Sequence, residues 1–246
     1  MQDYNSYIFS GREKLRFLLQ GSLAAVIVGY LFYKSIIGVL FLMPLVYFYL
    51  KKKKKTLEKE RKWKLNLEFR DGILALAAAL EAGYSAENAL QESCRDLALV
   101  YSEGAMIMQE FAYMANQVRA NIMVEKALED FAFRSGIEDI QSFAEVFGTA
   151  KRTGGDLLQV IKLTGNMISD KIEVKREIIT LVAAKRLEAN IMKGIPLLIL
   201  AYLSLCSPGF LDPLYRNVLG VILMTGILMG YFGAYMAIDI IIAIEV

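Results

Sequence analysis

The stretch FLLQGSLAAVIVGYLFYKSIIGVLFLMPLVYFYLKKKKK, residues 17–55, decides the class of this protein. Phe17 to Tyr33 and Ile36 to Leu50 are two nearly unbroken apolar runs, parted by Lys34 and Ser35 and closed by five consecutive lysines. A bilayer core about 30 Å thick takes about 20 helical residues. One helix over residues 17–50 would be about 51 Å long at about 1.5 Å per residue, so a tight hairpin with Lys34 at the outer interface is the expected form. Two further apolar runs come late, Ile191 to Leu205 and Val218 to Ala243. Between them CSPGFLDPLYRN offers Pro208, Gly209 and Pro213 as helix stops. About four transmembrane helices are therefore expected.

The rest of the composition agrees. The 246 residues are 56% hydrophobic and only 22% charged, with a mean hydropathy of +0.40, which is unusual for a soluble protein and excludes intrinsic disorder. The chain has no histidine, which removes Ser-His-Asp triads, Cys-His pairs and histidine-ligated metals. Cys94 and Cys206 stand alone and read as small apolar fillers rather than a disulfide framework or zinc site. No catalytic, cofactor-binding or metal-ligating residue is expected. A net charge of +2 gives no reason to expect a nucleic-acid partner.

The distribution of charge sets the orientation. Lys51 to Lys64, KKKKKTLEKERKWK, holds nine Lys or Arg against two Glu, and Arg12, Lys14 and Arg16 precede the first run. The other side offers Lys34 and Arg216. By the positive-inside rule both termini and the whole region from Lys51 to about Asn190 are cytoplasmic, in a cell membrane crossed several times. A polar stretch of 16 residues before the first run is unlike a cleavable signal peptide. The expected order is a cytoplasmic tail (1–16), a transmembrane hairpin (17–50), a polybasic juxtamembrane segment (51–65), a cytoplasmic helical domain (66–190) and a C-terminal transmembrane pair (191–246). The polybasic run reads as a topology anchor that attracts anionic lipid, or as a docking strip for an acidic partner.

The cytoplasmic region has no proline between Pro44 and Pro196 and reads as helix throughout, so the protein is all-α. One pattern occurs in it three times: a residue that tolerates positive φ, then apolar residues six and seven positions on. The instances are Gly83 with Ala89 and Leu90, Asn121 with Ala127 and Leu128, and Gly154 with Val160 and Ile161. Each Gly or Asn ends one helix. Ser85 and Asp156, two residues later, cap the next, whereas Met123 cannot. The TGGD turn also includes Gly155. Three short-looped antiparallel hairpins, a bundle of about six helices, are predicted.

Apolar stripes at Ile137, Ile140, Phe143, Ala144 and Phe147, and at Leu157, Ile161, Thr164, Ile168 and Ile172, supply the bundle core. Met106, Met108, Met114 and Met123 read as filler in it. From Asp156 to Lys193 there is no proline, so one helix of about 57 Å, with Gly165 as a place for a break, would tie the bundle to the bilayer. Its charges at Lys171, Glu173, Arg176 and Glu177 are candidates for contact with a partner. In the membrane, small residues recur every fourth position at Gly21, Ala25 and Gly29 and at Gly226, Gly230 and Ala234, ridges that let helices approach closely within one chain or between two. Lys193 and Asp239, near the cytoplasmic ends of their runs, could pair. So few ionisable residues in the spans disfavour a channel or transporter, the alternative reading.

LEFRDGILALAAALEAGYSAENAL, EKALEDFAFRSGIEDIQSFAEVFGTAKRTGGDLLQVI and KREIITLVAAKRLEANIMKGIP together resemble the type II secretion system protein F domain family, the inner-membrane platforms of type II secretion and type IV pilus machines. The resemblance runs from about Leu67 to the C-terminus. A single domain after a membrane hairpin is similar to the tight-adherence (Flp pilus) branch, with Asn121 standing where such sequences often have glycine. The resemblance implies a scaffold without enzymatic activity that couples a cytoplasmic hexameric secretion ATPase to extraction of pilin subunits and filament assembly. A homologous platform subunit or a second copy, and membrane lipids, are the other implied partners.

Overall fold

The computed structural model describes residues 3–207 and 209–244; the expected helix stop Pro208 lies outside them. Every regular element among the described residues is helical: α1 (Gly11–Tyr33), α2 (Ile36–Glu81), α3 (Ala86–Val100), α4 (Met106–Arg119), α5 (Val124–Ser135), α6 (Glu138–Thr153), α7 (Leu157–Cys206), α8 (Asp212–Arg216) and α9 (Val218–Ile244). The chain forms two compact units, Met1–Ile8 with Lys55–Glu173, and Phe9–Lys54 with Val174–Val246.

The first unit takes the C-terminal part of α2, all of α3 to α6 and the start of α7. Its core is aromatic. Phe69 of α2 meets Phe131 of α5 and Phe143 of α6 edge-on, at centroid distances of 5.8 and 5.5 Å, and all three rings are buried. Edge-to-face geometry sets the positive rim of one ring against the negative face of another. The stripe from Ile137 to Phe147 is buried as expected, and so are Ile161, Ile168 and Ile172. Gly165 does not break α7. Its bare Cα lets Ile73 of α2 approach, with a Cβ there only 3.0 Å from the isoleucine. Met114 is core and Met106 and Met108 pack against it, but Met123 is half-exposed because it occupies the N-cap of α5. Cys94 packs beside the core, and burial pushes its thiol up to about 11; Cys206 is exposed and is not a filler.

The N-terminal tail is not a free extension of the membrane hairpin. Tyr4 is completely buried in the first unit. Its hydroxyl donates to Glu110 Oε1 at 3.0 Å, its N–H donates to the Arg134 carbonyl at 3.1 Å, and the Arg61 guanidinium covers its ring at 4.9 Å. Arg134 in turn holds both Glu110 oxygens, at 3.0 and 2.7 Å. Glu110 is 1% exposed, a burial tolerable only because its charge is matched and its oxygens are hydrogen-bonded.

In the second unit α1 begins at Gly11, earlier than the apolar run suggested, after a capping box between Ser10 and Glu13. The helix ends at Lys34, whose φ of 42° reverses the chain into α2. All three ridge residues of α1 pack within the chain. A Cβ on Gly29 would stand 2.8 Å from Val39 Cα, and one on Gly21 3.0 Å from Val46. Phe32, Leu42, Met224 and Leu228 form a small core with Ala25, Leu197 and Leu200 beside it. Three helices are long and apolar enough to cross a membrane among the described residues: Gly11–Tyr33, Leu157–Cys206 and Val218–Ile241. The fourth expected segment, 36–50, is shorter and runs without a break into the lysines, within one helix that reaches Glu81. The loop before α9 holds the short helix α8, with Pro213 in its first turn rather than as a stop.

Candidate docking surface at the turn end of the bundle

The three repeated turns have the backbone their residues demand. Gly83, Asn121 and Gly154 adopt φ of 90°, 65° and 69°. Gly154 is the left-handed C-cap of α6, its N–H on the Ala150 carbonyl, and Gly155 donates to that same carbonyl at 3.1 Å. Ser85 caps α3 by accepting from the N–H of Asn88, and Asp156 caps α7 by accepting from the N–H of Gln159 at 3.0 Å. Met123 makes no side-chain cap. Asn121 takes the left-handed conformation that glycine takes in the other two turns, as a short polar side chain permits.

Side chains draw these turns to one end of the first unit. Lys151, in the last turn of α6, donates to Glu87 of α3 at 2.8 Å and to Glu125 of α5 at 3.1 Å. Beside it Glu81, the last residue of α2, pairs with Lys162 of α7 at 2.6 Å. Burial alone would lower the Lys151 pKa, but the bonds from Glu87 and Glu125 outweigh it and hold the ammonium above its ordinary value. The Lys151 hydrogen bond in turn holds Glu87 below the usual carboxylate range. The sequence carried a sign of this clasp that the turn pattern passed over: Glu87 and Glu125 each stand four residues after Gly83 and Asn121, and Lys151 three before Gly154.

Around the clasp lie exposed apolar groups. Tyr84 and Ile122 follow the left-handed residues directly, Met123 comes next, and the three are 46%, 39% and 53% exposed. Their neighbours carry both signs of charge. Apolar and aromatic groups framed by paired charges suit contact with another protein, because the apolar atoms gain from burial while the charges fix register. The clasp holds no nucleophile paired with a base, and its titratable groups are committed to one another.

The other sequence candidates divide. Lys171 is exposed and paired within its own unit. It is held by Asp139 of α6 at 2.6 Å, with Glu138 at 3.9 Å, and the Asp139 bond raises its pKa. Glu173 is exposed at the end of the first unit, and Arg176 and Glu177 are exposed in the second. Ala234 is exposed too, and among the described residues nothing lies within 4 Å of a Cβ built on Gly226 or Gly230, so the α9 ridge has no partner corresponding to that of α1.

Lys193 and Asp239 do pair, and Lys52 joins them on the other carboxylate oxygen. At the opposite end of the second unit Lys34 pairs with Asp212 at 3.6 Å and lies over the Tyr215 ring. There the Tyr215 hydroxyl donates to the Leu31 carbonyl at 2.7 Å. Sequence reading missed Lys52 and Tyr4, the first hidden in a run of identical residues and the second lone in a polar tail. Comparison with family models, curated proteins and solved structures gives no match to this chain.

Proposed function

We propose that this chain is an inner-membrane platform of a type II secretion-like, tight-adherence pilus assembly machine: a non-enzymatic scaffold that couples a cytoplasmic secretion ATPase to extraction of pilins from the bilayer. The reading rests on the family resemblance of the sequence. The observation that carries it structurally is the turn end, where Lys151 clasps α3 and α5 beside an exposed apolar patch of Tyr84, Ile122 and Met123. A hexameric motor needs a stiff surface to push, and three helix junctions cross-linked by charge provide one. The helices α2 and α7 each continue from residues of the bundle into residues of the membrane unit, so displacement of the first has a helical path into the second.

In this reading the bundle is six helices in three hairpins, lies in the cytoplasm, and is joined to four spans. The segment 36–50 counts as a span because contacts of its helix lie at both ends of the unit: Lys34 just before it with Asp212, and Lys52 just after it with Asp239. Lys171, Glu173, Arg176 and Glu177 remain candidates for the partner surface, Lys171 with Asp139 of α6 beside it. The ridge of Gly226, Gly230 and Ala234 is the place for a homologous subunit or second copy.

A photo-crosslinking amino acid at Tyr84 or Met123 of the full chain, expressed in its native host, tests the proposal. Crosslinks to the ATPase are expected, reduced by the double change of Arg176 and Glu177 to alanine if those charges belong to the interface. Absence of ATPase crosslinks, together with ion flux through liposomes holding the purified chain, would replace the platform with the channel.

A further inference from the structure

The turn end of the bundle sorts its charges by sign. Its carboxylates are committed within the unit: Glu87 and Glu125 hold Lys151, Glu81 pairs with Lys162, and Asp156 caps α7. Its other cations are not. Arg119 is the last residue of α4, Lys126 stands in the first turn of α5 and Arg152 in the last turn of α6, and all three are exposed. Among the described residues none of the three forms an ion pair or a side-chain hydrogen bond, and Glu129, three residues after Lys126, does not pair with it.

Arg119 and Arg152 have an internal reason for their sign, since a cation in the last turn of a helix suits the negative end of its dipole. Lys126 has the opposite relation. At the start of α5 the dipole opposes a cation, so this charge serves nothing in its own helix. In the stretch RANIMVEK, Arg119 and Lys126 bracket the exposed Ile122 and Met123. The bond from Lys151 to Glu125 brings the helix end that carries Arg152 to the same place, and its bond to Glu87 brings the start of α3 beside Tyr84.

The surroundings favour a protein as the occupant. At about 1.5 Å per residue, about 39 Å of α2 separates Glu81 from Lys55, and about 24 Å of α7 separates Leu157 from Glu173. Lys55 and Glu173 are where the chain leaves this unit, and attraction between surface charges and lipid headgroups fades over about 10 Å at 0.1 M salt. A nucleic-acid backbone takes up cations but leaves Ile122 and Met123 in water, whereas a protein interface buries the apolar groups and pairs the charges at its rim.

We propose that the turn end docks an acidic segment of a partner protein, whose Asp or Glu side chains meet Arg119, Lys126 and Arg152 while an apolar residue covers Ile122 and Met123. The proposal deepens the platform reading, because it rests on the turn end being the partner surface and names the chemistry of the face that meets it.

The test reads the Met123 photo-crosslink of the full chain in its native host at the level of the attached peptide, sequenced by mass spectrometry. That peptide is expected to hold more Asp and Glu than Lys and Arg. The triple variant Arg119→Gln, Lys126→Gln, Arg152→Gln should lower the yield about tenfold or more, as loss of three interfacial charge pairs does. The charge-keeping triple Arg119→Lys, Lys126→Arg, Arg152→Lys should hold it within about twofold, because unpaired rim charges are read by sign more than by shape. The three side chains are bonded to nothing in the fold among the described residues, so both variants keep the helical circular dichroism signal. A neutral or basic attached peptide, lipid or nucleic acid in place of protein, no crosslink at all, or an unchanged yield from the glutamine triple would overturn the proposal. A secretion ATPase captured through a neutral segment would leave the platform standing and remove this inference; an acidic segment of an unrelated protein would do the reverse.

Discussion

The bundle encloses its large side chains, whereas the membrane unit turns most of its own outward. Phe69, Phe111, Phe131, Phe143 and Phe147 of the bundle are each at most 2% exposed, while Leu198, Tyr202, Leu219 and Ile222 of the membrane unit are each more than 60% exposed. The same physical rule gives both results in two solvents. Water drives apolar rings together, so the bundle is organised from its centre. Lipid gains nothing from that clustering, so membrane helices are held where backbones come close and where a few polar groups meet. In this unit those places are the glycine contacts of α1 with α2, the hydroxyl contact of Tyr33 with Thr225 at 3.0 Å, and the ion pairs at either end.

The most severe way to break the comparison is to truncate a large side chain in each unit, enclosed in the one and outward-facing in the other. Phe131→Ala should destabilise the bundle by about 3–5 kcal/mol, read from urea unfolding of the full chain in detergent through Trp63, the single tryptophan, which packs on the bundle core. Leu223→Ala, at a half-exposed membrane position, should change the same curve by less than about 0.5 kcal/mol. Similar shifts would mean that the two units do not fold by different rules.

Glycine gives the next effect. Gly29→Val drives a side chain into the Val39 backbone and should cost about 1–3 kcal/mol in resistance to sodium dodecyl sulfate. Gly230→Val meets open space and should leave the monomer unchanged. If both valines act alike, the distinction between a used and an unused ridge fails.

The smallest effect concerns a polar contact of the bundle. Tyr101 donates to Asp71 Oδ2 at 2.5 Å, and burial followed by that bond raises its pKa to about 12 from an ordinary 10.0. Since the fold favours the neutral phenol, the contribution is fully present below about pH 10 and lost as pH rises towards 12. Tyr101→Phe should cost about 1 kcal/mol at neutral pH. The gap to the unaltered chain should close between pH 10 and 12 in unfolding curves.

Much of the backbone was legible because local chemistry dictates it. A residue with φ of 65° to 90° must be Gly, Asn or something strained, so Gly83, Asn121 and Gly154 announce their turns whatever surrounds them. Gly136, with φ of 56°, marks a fourth such reversal that the pattern of three did not include. The clasp of Lys151 was harder to read, because nothing local requires a lysine in α6 to face glutamates 64 and 26 residues away. Glu110 shows the same difficulty from the other direction. In MQEFAYM it looks like a solvated charge, and only the arrival of Tyr4 and Arg134 from distant parts of the chain makes its burial tolerable.

The seating of Tyr4 has a consequence for anyone who trims this protein. A fragment cut at Lys55 to leave the lipid behind would discard the phenol that plugs its own interior, opening a hole beside Glu110 with the Arg61 guanidinium stranded above it. Stitching residues 3–8 back through a flexible splice would restore the plug, so the shortest faithful version of that unit is a discontinuous one.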